Sequence, residues 1–225
     1  MAEEAGKPHY RFNSQMEIGS PFRADFTESA IKNEPMLFGC DVPTAYSLGG
    51  PLTHAFLNEL LLAWPEEHLI IDSRVHMLMP GWLPCIPGFH HDDVARTRSD
   101  GQPNYDEMPY RSRHCMALIN GDIAPTCFAI GECDMPPIDG PAPIYRRWHS
   151  EVENLIFKGD LKPRLAPSGR LVFFDWQSFH QGTRAVASGW RWFIRASRDT
   201  ARVNRPANEL RRQVQVYLDN AMEGW

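Results

Sequence analysis

Residue types suited to metal binding are concentrated in the run from His90 to Asp93, which reads His-His-Asp-Asp. Side chains alternate along an extended segment, so a histidine and an aspartate two positions apart, such as His90 and Asp92, point the same way. A further histidine, His180, follows much later in the chain. Two imidazoles and one carboxylate on one side of a metal leave its other positions open. This ligand set is typical of non-heme Fe(II) oxygenases.

Two arginines occupy one face of a predicted aromatic strand, Trp190 to Ser197. The alternation of this segment places Arg191 and Arg195 on one face and the tryptophans on the other. Two guanidinium groups are costly to bury without anionic partners. We therefore expect a small dicarboxylate co-substrate or an anionic substrate beside them, since arginine binds carboxylates through paired hydrogen bonds.

The composition favours a single domain built mainly of strands. The chain has 225 residues, of which 43% are hydrophobic and 23% charged, enough for one domain with a substantial core. Its 19 prolines and 16 glycines indicate many turns and short elements. We expect one domain over residues 1–225, with residues 1–50 as an extension that packs on the outside of the core.

Charge and cysteine content limit the function classes. The net charge of −5 argues against a strongly basic nucleic-acid surface and favours a small-molecule substrate, although a nucleotide or nucleic acid stays an alternative. Five cysteines, an odd number without repeated metal-binding spacing, indicate free thiols. The polar N-terminus and the lack of long apolar runs predict a cytoplasmic protein without a membrane partner.

Hydrophobic periodicity and turn signals predict alternating short strands and two helices. We expect a helix over 54–64, capped by Thr53, and a second helix over 144–158. The predicted strands cover 68–79, 113–119, 125–131, 171–174, 190–197 and 212–218. Asn120-Gly121-Asp122 predicts a hairpin turn between the second and third of these strands. The order favours a β-sandwich or jelly-roll core with helices packed on one side.

At these residues the chain resembles the Fe(II)/2-oxoglutarate-dependent dioxygenases. The resemblance covers roughly residues 70–200 and depends on a His-x-Asp pair, a distal histidine and an arginine eleven residues after it. The aromatic residue Phe89 before His90 is similar to the metal motif of the phytanoyl-CoA hydroxylase-like branch. This likeness favours the pair His90 and Asp92, and the rival register is His91 with Asp93.

The resemblance implies a double-stranded β-helix and a hydroxylating enzyme that uses Fe(II), 2-oxoglutarate and O2. By this likeness His90, Asp92 and His180 bind the iron. Arg191, helped by Thr126, binds 2-oxoglutarate, and Arg195 faces the substrate. An Arg-x-Ser motif at Arg195 would instead transfer the 2-oxoglutarate role to that residue.

Three further residues are candidates for the pocket wall, namely His76, Arg74 and Tyr110. Their alternative role is that of ordinary strand and loop residues. Tyr110 belongs to a polar segment, 95–112, whose length and position after the His-His-Asp-Asp run predict a loop over the site. A small polar or anionic substrate fits these residues. Two other functions stay open: a non-catalytic metal-binding barrel of cupin type, and a cupin-like isomerase.

Overall fold

The computed structural model describes residues 10–65, 68–106, 111–137, 143–199 and 207–218, and these residues form a mainly β structure with antiparallel sheets and few helices. The larger sheet contains, in spatial order, β2 (Glu17–Pro21), β8 (Arg170–Asp175), β5 (Arg113–Ile119), β10 (Gly189–Arg198) and β4 (Ile70–Leu78). The smaller sheet contains β1 (Tyr10–Ser14), β6 (Thr126–Met135) and β7 (Lys162–Leu165), and the short β9 (His180–Gly182) also pairs with β6. A third, two-stranded sheet pairs β3 (Leu37–Phe38) with β11 (Glu209–Leu210).

The two larger sheets face each other, and helices cover both outer faces. α1 (Glu28–Lys32), α2 (Val42–Leu48) and α3 (Pro51–Ala63) pack on the five-stranded sheet, where Phe56 contacts Trp192. α4 (Ile144–Lys158) packs on the smaller sheet through Trp148 and Val152. The prediction of helices on one side only is therefore wrong. Both sheets have an apolar outer face, and each face must be covered to remove it from water.

The strand alternation predicted for Trp190 to Ser197 is confirmed. Trp192, Ile194 and Ala196 lie fully buried in the core under the helices. Arg191 and Arg195 point to the other face, into the space between the sheets. The strand is an interior strand of its sheet, with β5 on one side and the edge strand β4 on the other.

The N-terminal residues contribute more than the predicted outer packing. Residues 10–14 form an edge strand of the smaller sheet and residues 17–21 an edge strand of the larger one. Phe12 is buried among aromatic rings of the cluster under α4. Residues 10–21 therefore contribute one strand to each of the two larger sheets. The sequence did not indicate this, because residues 1–50 show no clear hydrophobic periodicity.

One turn prediction and one strand prediction are corrected. Asn120 does turn the chain, with φ of 53°, but a 3-10 turn at Gly121–Ile123 follows it. The flanking strands β5 and β6 then enter different sheets, so they form no hairpin. The predicted strand at 212–218 is also absent: the described residues after β11 form no strand, and within them Tyr217 makes an isolated β-bridge to Leu83.

The side chain of a buried glutamate, Glu34, caps the N-terminus of α3 in place of the predicted cap Thr53. The helix starts at Pro51, so Thr53 lies in its first turn. The carboxylate of Glu34, which is 4% exposed, accepts hydrogen bonds from the backbone N–H groups of Gly50, Leu52 and Thr53 and from the Thr53 hydroxyl. A carboxylate satisfies these free donors well because the helix N-terminus carries partial positive charge.

We predict that Glu34→Ala lowers the free energy of unfolding by at least about 2 kcal/mol, because several buried donors lose their acceptor. Urea denaturation followed by circular dichroism measures the change. The matched control is Glu17→Ala, at an exposed position of an edge strand, where we expect a change within about 0.5 kcal/mol. Equal effects of the two variants would contradict the role given to Glu34.

Candidate metal centre

Backbone pairing sets His90 and His180 side by side. The N–H of His90 donates to the carbonyl of His180 at 3.0 Å, and the N–H of His180 donates back to the carbonyl of His90 at 3.1 Å. Residues directly opposite in an antiparallel pair place their side chains on the same side. The centroids of the two imidazole rings are accordingly 4.7 Å apart.

In each of these rings one nitrogen forms a hydrogen bond with a backbone carbonyl, and the other nitrogen is available to bind a metal. Nδ1 of His90 lies 2.9 Å from the carbonyl oxygen of Gly88, and Nδ1 of His180 lies 2.9 Å from that of Ser178. A carbonyl oxygen only accepts hydrogen bonds, so Nδ1 of each ring is the donor and Nε2 is the nitrogen that remains for a metal. Hydrogen bonding of the second ring nitrogen is what orients histidines that bind metals.

Asp92 completes a group of three donors around one point. Its Oδ2 is 3.2 Å from Nε2 of His180, and its Oδ1 is 4.0 Å from Nε2 of His90. The candidate donor atoms of the three residues all lie within 4.8 Å of one another. Burial lowers the pKa of His90 to about 4, so its ring is neutral at pH 7 and available as a ligand. The arrangement can hold a metal ion with several open positions.

The alternative pair, His91 and Asp93, also lies at the cavity wall but is not part of this group of donor atoms. The ring of His91 packs against Phe179 at a centroid distance of 3.9 Å, and its Nδ1 lies 2.8 Å from the Tyr105 hydroxyl. Asp93 has a positive φ of 52° and lies 3.5 Å from Arg195. The structure therefore brings together the donor atoms of His90, Asp92 and His180, and His91 and Asp93 do not join that group.

Arg195 is surrounded by carboxylates. It forms an ion pair with Asp92, and its Nη2 lies 3.5 Å from Asp93 and 3.8 Å from Asp72. Burial disfavours the charged guanidinium, but its acidic neighbours outweigh burial and raise the pKa of Arg195 above its usual value. Arg195 lines the cavity, and its charge is balanced by this protein's own carboxylates. Its contact with an anionic substrate stays a prediction.

The same ion pair keeps Asp92 ionised. Burial alone would raise the pKa of Asp92, but Arg195 and His180 outweigh burial and hold the pKa well below its usual value. Arg195 also fixes the direction of the carboxylate next to the two imidazoles. It is therefore placed as a positioning residue for the metal-binding group.

Arg191 has a different environment from Arg195, although both share one face of β10. Its side chain is buried, at 2% exposure, and no carboxylate of the described residues forms an ion pair with it. Burial lowers the pKa of Arg191 to about 10, so the group is still charged at pH 7. A buried cation without an anion is unfavourable, and a bound carboxylate would relieve it.

A cavity of about 660 Å³ opens in front of these groups, a size within the range of small-molecule sites. Thr126 and His76, both predicted at the site, line the cavity, and so does Arg74. Burial, followed by the nearby Arg191 guanidinium, lowers the pKa of His76 to about 3, so this ring is neutral at pH 7. Tyr110 lies outside the described residues.

The C-terminal segment 211–217 forms a further wall that sequence reasoning missed, and we call it the strap. At one end the N–H of Arg211 donates to the carbonyl of Met36 at 2.7 Å. At the other end Tyr217 exchanges two backbone hydrogen bonds of 2.9 and 3.0 Å with Leu83. Between these ends the strap lines the cavity. Its position depends on long-range backbone contacts, which leave no periodic signal in the sequence.

Two other residues at the site had no strong signal in the sequence. Asp72 accepts a hydrogen bond from the N–H of Gly39 at 3.0 Å and also faces Arg195. It therefore connects the segment after β3 to the arginine that pairs with Asp92. Tyr145 of α4 lines the cavity and donates its hydroxyl hydrogen bond to the carbonyl of His91 at 3.1 Å. The helix carrying Tyr145 was predicted, but its orientation was not.

Comparison with known proteins gives matches to solved structures only. No protein-family model matches the sequence, and no curated protein sequence matches it. Crystal structures of HygX from Streptomyces hygroscopicus are similar at low identity. The apo form is 14% identical with a TM-score of 0.40, covering 82% of this chain and 81% of that one. The form with nickel and 2-oxoglutarate bound is 13% identical with a TM-score of 0.41, covering 82% of each chain. Similarity at this level does not establish a family for this chain.

In the described part of the chain, every helix is too short or too polar to span a lipid bilayer.

We predict that His90→Ala and His180→Ala each weaken Co(II) binding on the order of 100-fold or more, since losing even a residue that only orients a ligand costs about 10–100-fold. His91→Asn should keep the affinity within about threefold while lowering stability, because His91 packs in the aromatic cluster. Absorption titration with Co(II) measures the affinities. An equal loss in His91→Asn would place the metal in the other register.

Proposed function

We propose that this protein is an Fe(II)- and 2-oxoglutarate-dependent dioxygenase built as a single double-stranded β-helix domain, and that it hydroxylates a small polar or anionic substrate. One observation carries the proposal: Arg191, which is buried and has no carboxylate partner among the described residues, shares a cavity with the His90, Asp92 and His180 group. Phe89 before His90 favours the phytanoyl-CoA hydroxylase-like branch.

The residues of this chain fit the two groups that such an enzyme needs. His90, Asp92 and His180 would hold the iron, because one candidate ligand atom from each of the three residues lies within 4.8 Å of the other two. Arg191 and Thr126, both on the cavity wall, would hold the carboxylate of 2-oxoglutarate farther from the metal. When bound, iron, 2-oxoglutarate and O2 supply an oxidation that hydroxylates a C–H bond and releases succinate and CO2.

The chain's own contribution is positioning and exclusion of water. The carbonyls of Gly88 and Ser178 keep the protons of both rings on Nδ1, so both Nε2 atoms face the metal position. Arg195 holds Asp92 ionised and directed. The charge of Arg191, in a wall from which water is largely excluded, binds a carboxylate more strongly than an exposed arginine would.

The two cupin-like alternatives account less well for Arg191. A non-catalytic metal-binding barrel and an isomerase both use a metal group of this kind. Neither function needs a fixed, buried cation such as Arg191 in the same cavity as the metal. A carboxylate-bearing co-substrate gives Arg191 its missing partner, and the proposal therefore favours the oxygenase.

We predict that the purified protein converts 2-oxoglutarate to succinate slowly in air when Fe(II) and ascorbate are added, even before its substrate is known. Arg191→Gln should weaken the apparent affinity for 2-oxoglutarate about 10- to 150-fold, which corresponds to the about 1.5–3 kcal/mol of a hydrogen bond to a charged group. Succinate is measured by chromatography at a series of 2-oxoglutarate concentrations.

The matched control is Arg164→Gln, which removes the same charge from an exposed position on β7 and should leave the affinity unchanged. Loss of affinity in Arg195→Gln with none in Arg191→Gln would transfer the 2-oxoglutarate role to Arg195. Failure of the wild-type protein to form succinate, with the metal shown to be bound, would contradict the proposed activity.

A further inference from the structure

Arg74 is a second cation of the cavity that lacks an anionic partner. It lies on β4 directly opposite Phe193 of β10 and lines the cavity. Its side chain is half-buried, and no carboxylate of the described residues pairs with it. Arg74 and Arg191 are diagonal neighbours across the two strands, a relation that separates residues by about 7–8 Å. Two unpaired guanidinium groups therefore face one space.

The charges of the cavity wall show why one dicarboxylate does not complete the site. Its described charged residues are five arginines and three aspartates, namely Arg74, Arg96, Arg191, Arg195, Arg211, Asp72, Asp92 and Asp93. The three carboxylates lie next to Arg195, and Asp72 also lies 3.6 Å from Arg211. Among these residues two positive charges remain in excess, and Arg74, Arg96 and Arg191 are the three arginines outside these ion pairs. Fe(II) and 2-oxoglutarate carry equal and opposite charges, so their binding leaves this excess in place.

The strap supplies neutral polar groups beside Arg74. The backbone bridge to Leu83 fixes Tyr217 at the cavity wall, and the Tyr217 hydroxyl donates to Oε1 of Gln215 at 2.7 Å. Burial raises the pKa of Tyr217, while the positive charge of Arg74 acts in the opposite direction, as expected for close neighbours. An arginine with hydroxyl and amide groups around it is a common way to bind a carboxylate or phosphate.

We propose that Arg74, together with Tyr217 and Gln215 of the strap, binds an anionic group of the substrate, a carboxylate or a phosphate, at a subsite separate from Arg191. The inference depends on the proposed function for the identity of the reaction, and it names the class of substrate. Binding there would anchor the substrate at the strap side of the cavity, with the rest of the molecule extending toward His90 and His180.

The experiment has two stages, and the first tests the proposed function alone. Under anaerobic conditions, 2-oxoglutarate is titrated into the Fe(II)-loaded protein, and its metal-to-ligand charge-transfer absorption gives a Kd. We expect Arg191→Gln to weaken this Kd at least about tenfold. Arg74→Gln should leave it within about threefold, like the exposed control Arg164→Gln.

The second stage adds anion probes to protein loaded with Ni(II) and saturating 2-oxoglutarate. Sodium phosphate and sodium acetate are titrated separately by calorimetry. We expect at least one probe to bind the wild-type protein, and Arg74→Gln to weaken its binding at least about tenfold. Arg74→Lys, which keeps the charge, should restore most of the affinity, and Tyr217→Phe should reduce it a few-fold. The stronger probe distinguishes a phosphorylated substrate from a carboxylic acid.

Three results would overturn the inference: no binding of either probe to the loaded wild-type protein, unchanged probe binding in Arg74→Gln, or a loss of 2-oxoglutarate affinity in Arg74→Gln as large as in Arg191→Gln. A wild-type protein without the charge-transfer absorption would refute the proposed function. The probes are then titrated into the metal-loaded protein alone, where a loss in Arg74→Gln supports an anion subsite and retention overturns it.

Discussion

The pair of backbone hydrogen bonds between His90 and His180 is the constraint on which the site depends. It joins the loop after β4, which carries His90, to β9, which carries His180 and pairs with β6. The larger and smaller sheets are thereby connected at the candidate ligands. Both imidazoles gain their direction from carbonyls two residues earlier in their own segments. The metal group is thus oriented by backbone geometry, which is more rigid than a network of flexible side chains.

Charge is arranged around this pair in two zones. Near the metal position, three aspartates surround Arg195, and one of them, Asp72, also lies 3.6 Å from Arg211, so negative charge exceeds positive charge in this zone before any metal binds. Farther along the same face of β10 and across onto β4, Arg191 and Arg74 have no carboxylate among the described residues. The cost of burying those cations is offset only when anions arrive. The zone with Arg191 and Arg74 therefore attracts anionic ligands, and the zone around Arg195 positions the candidate metal ligands.

Sequence reasoning could identify the parts of this site that obey a local period. The alternation of β10 gave the cationic face, and the two-residue spacing gave a histidine and an aspartate on one side of an extended segment. The choice between the two registers needed the fold, because Phe179 and Tyr105, which hold His91 away, come from distant parts of the chain. The strap, Asp72 and the two edge strands at residues 10–21 were missed for the same reason: each is placed by long-range pairing without a hydrophobic period of its own.

Arg191 and Arg195 show most clearly what a sequence leaves open. They are the same residue type, four positions apart on one face of one strand, and the sequence pattern treats them alike. Their roles diverge through their cross-strand partners, because β4 places Asp72 opposite Arg195 and the neutral ring of His76 opposite Arg191. An arginine opposite a carboxylate becomes part of the scaffold, whereas an arginine opposite a neutral histidine stays available to a ligand. The register between β4 and β10 therefore decides which cation holds the metal group in place and which one is free to bind a carboxylate.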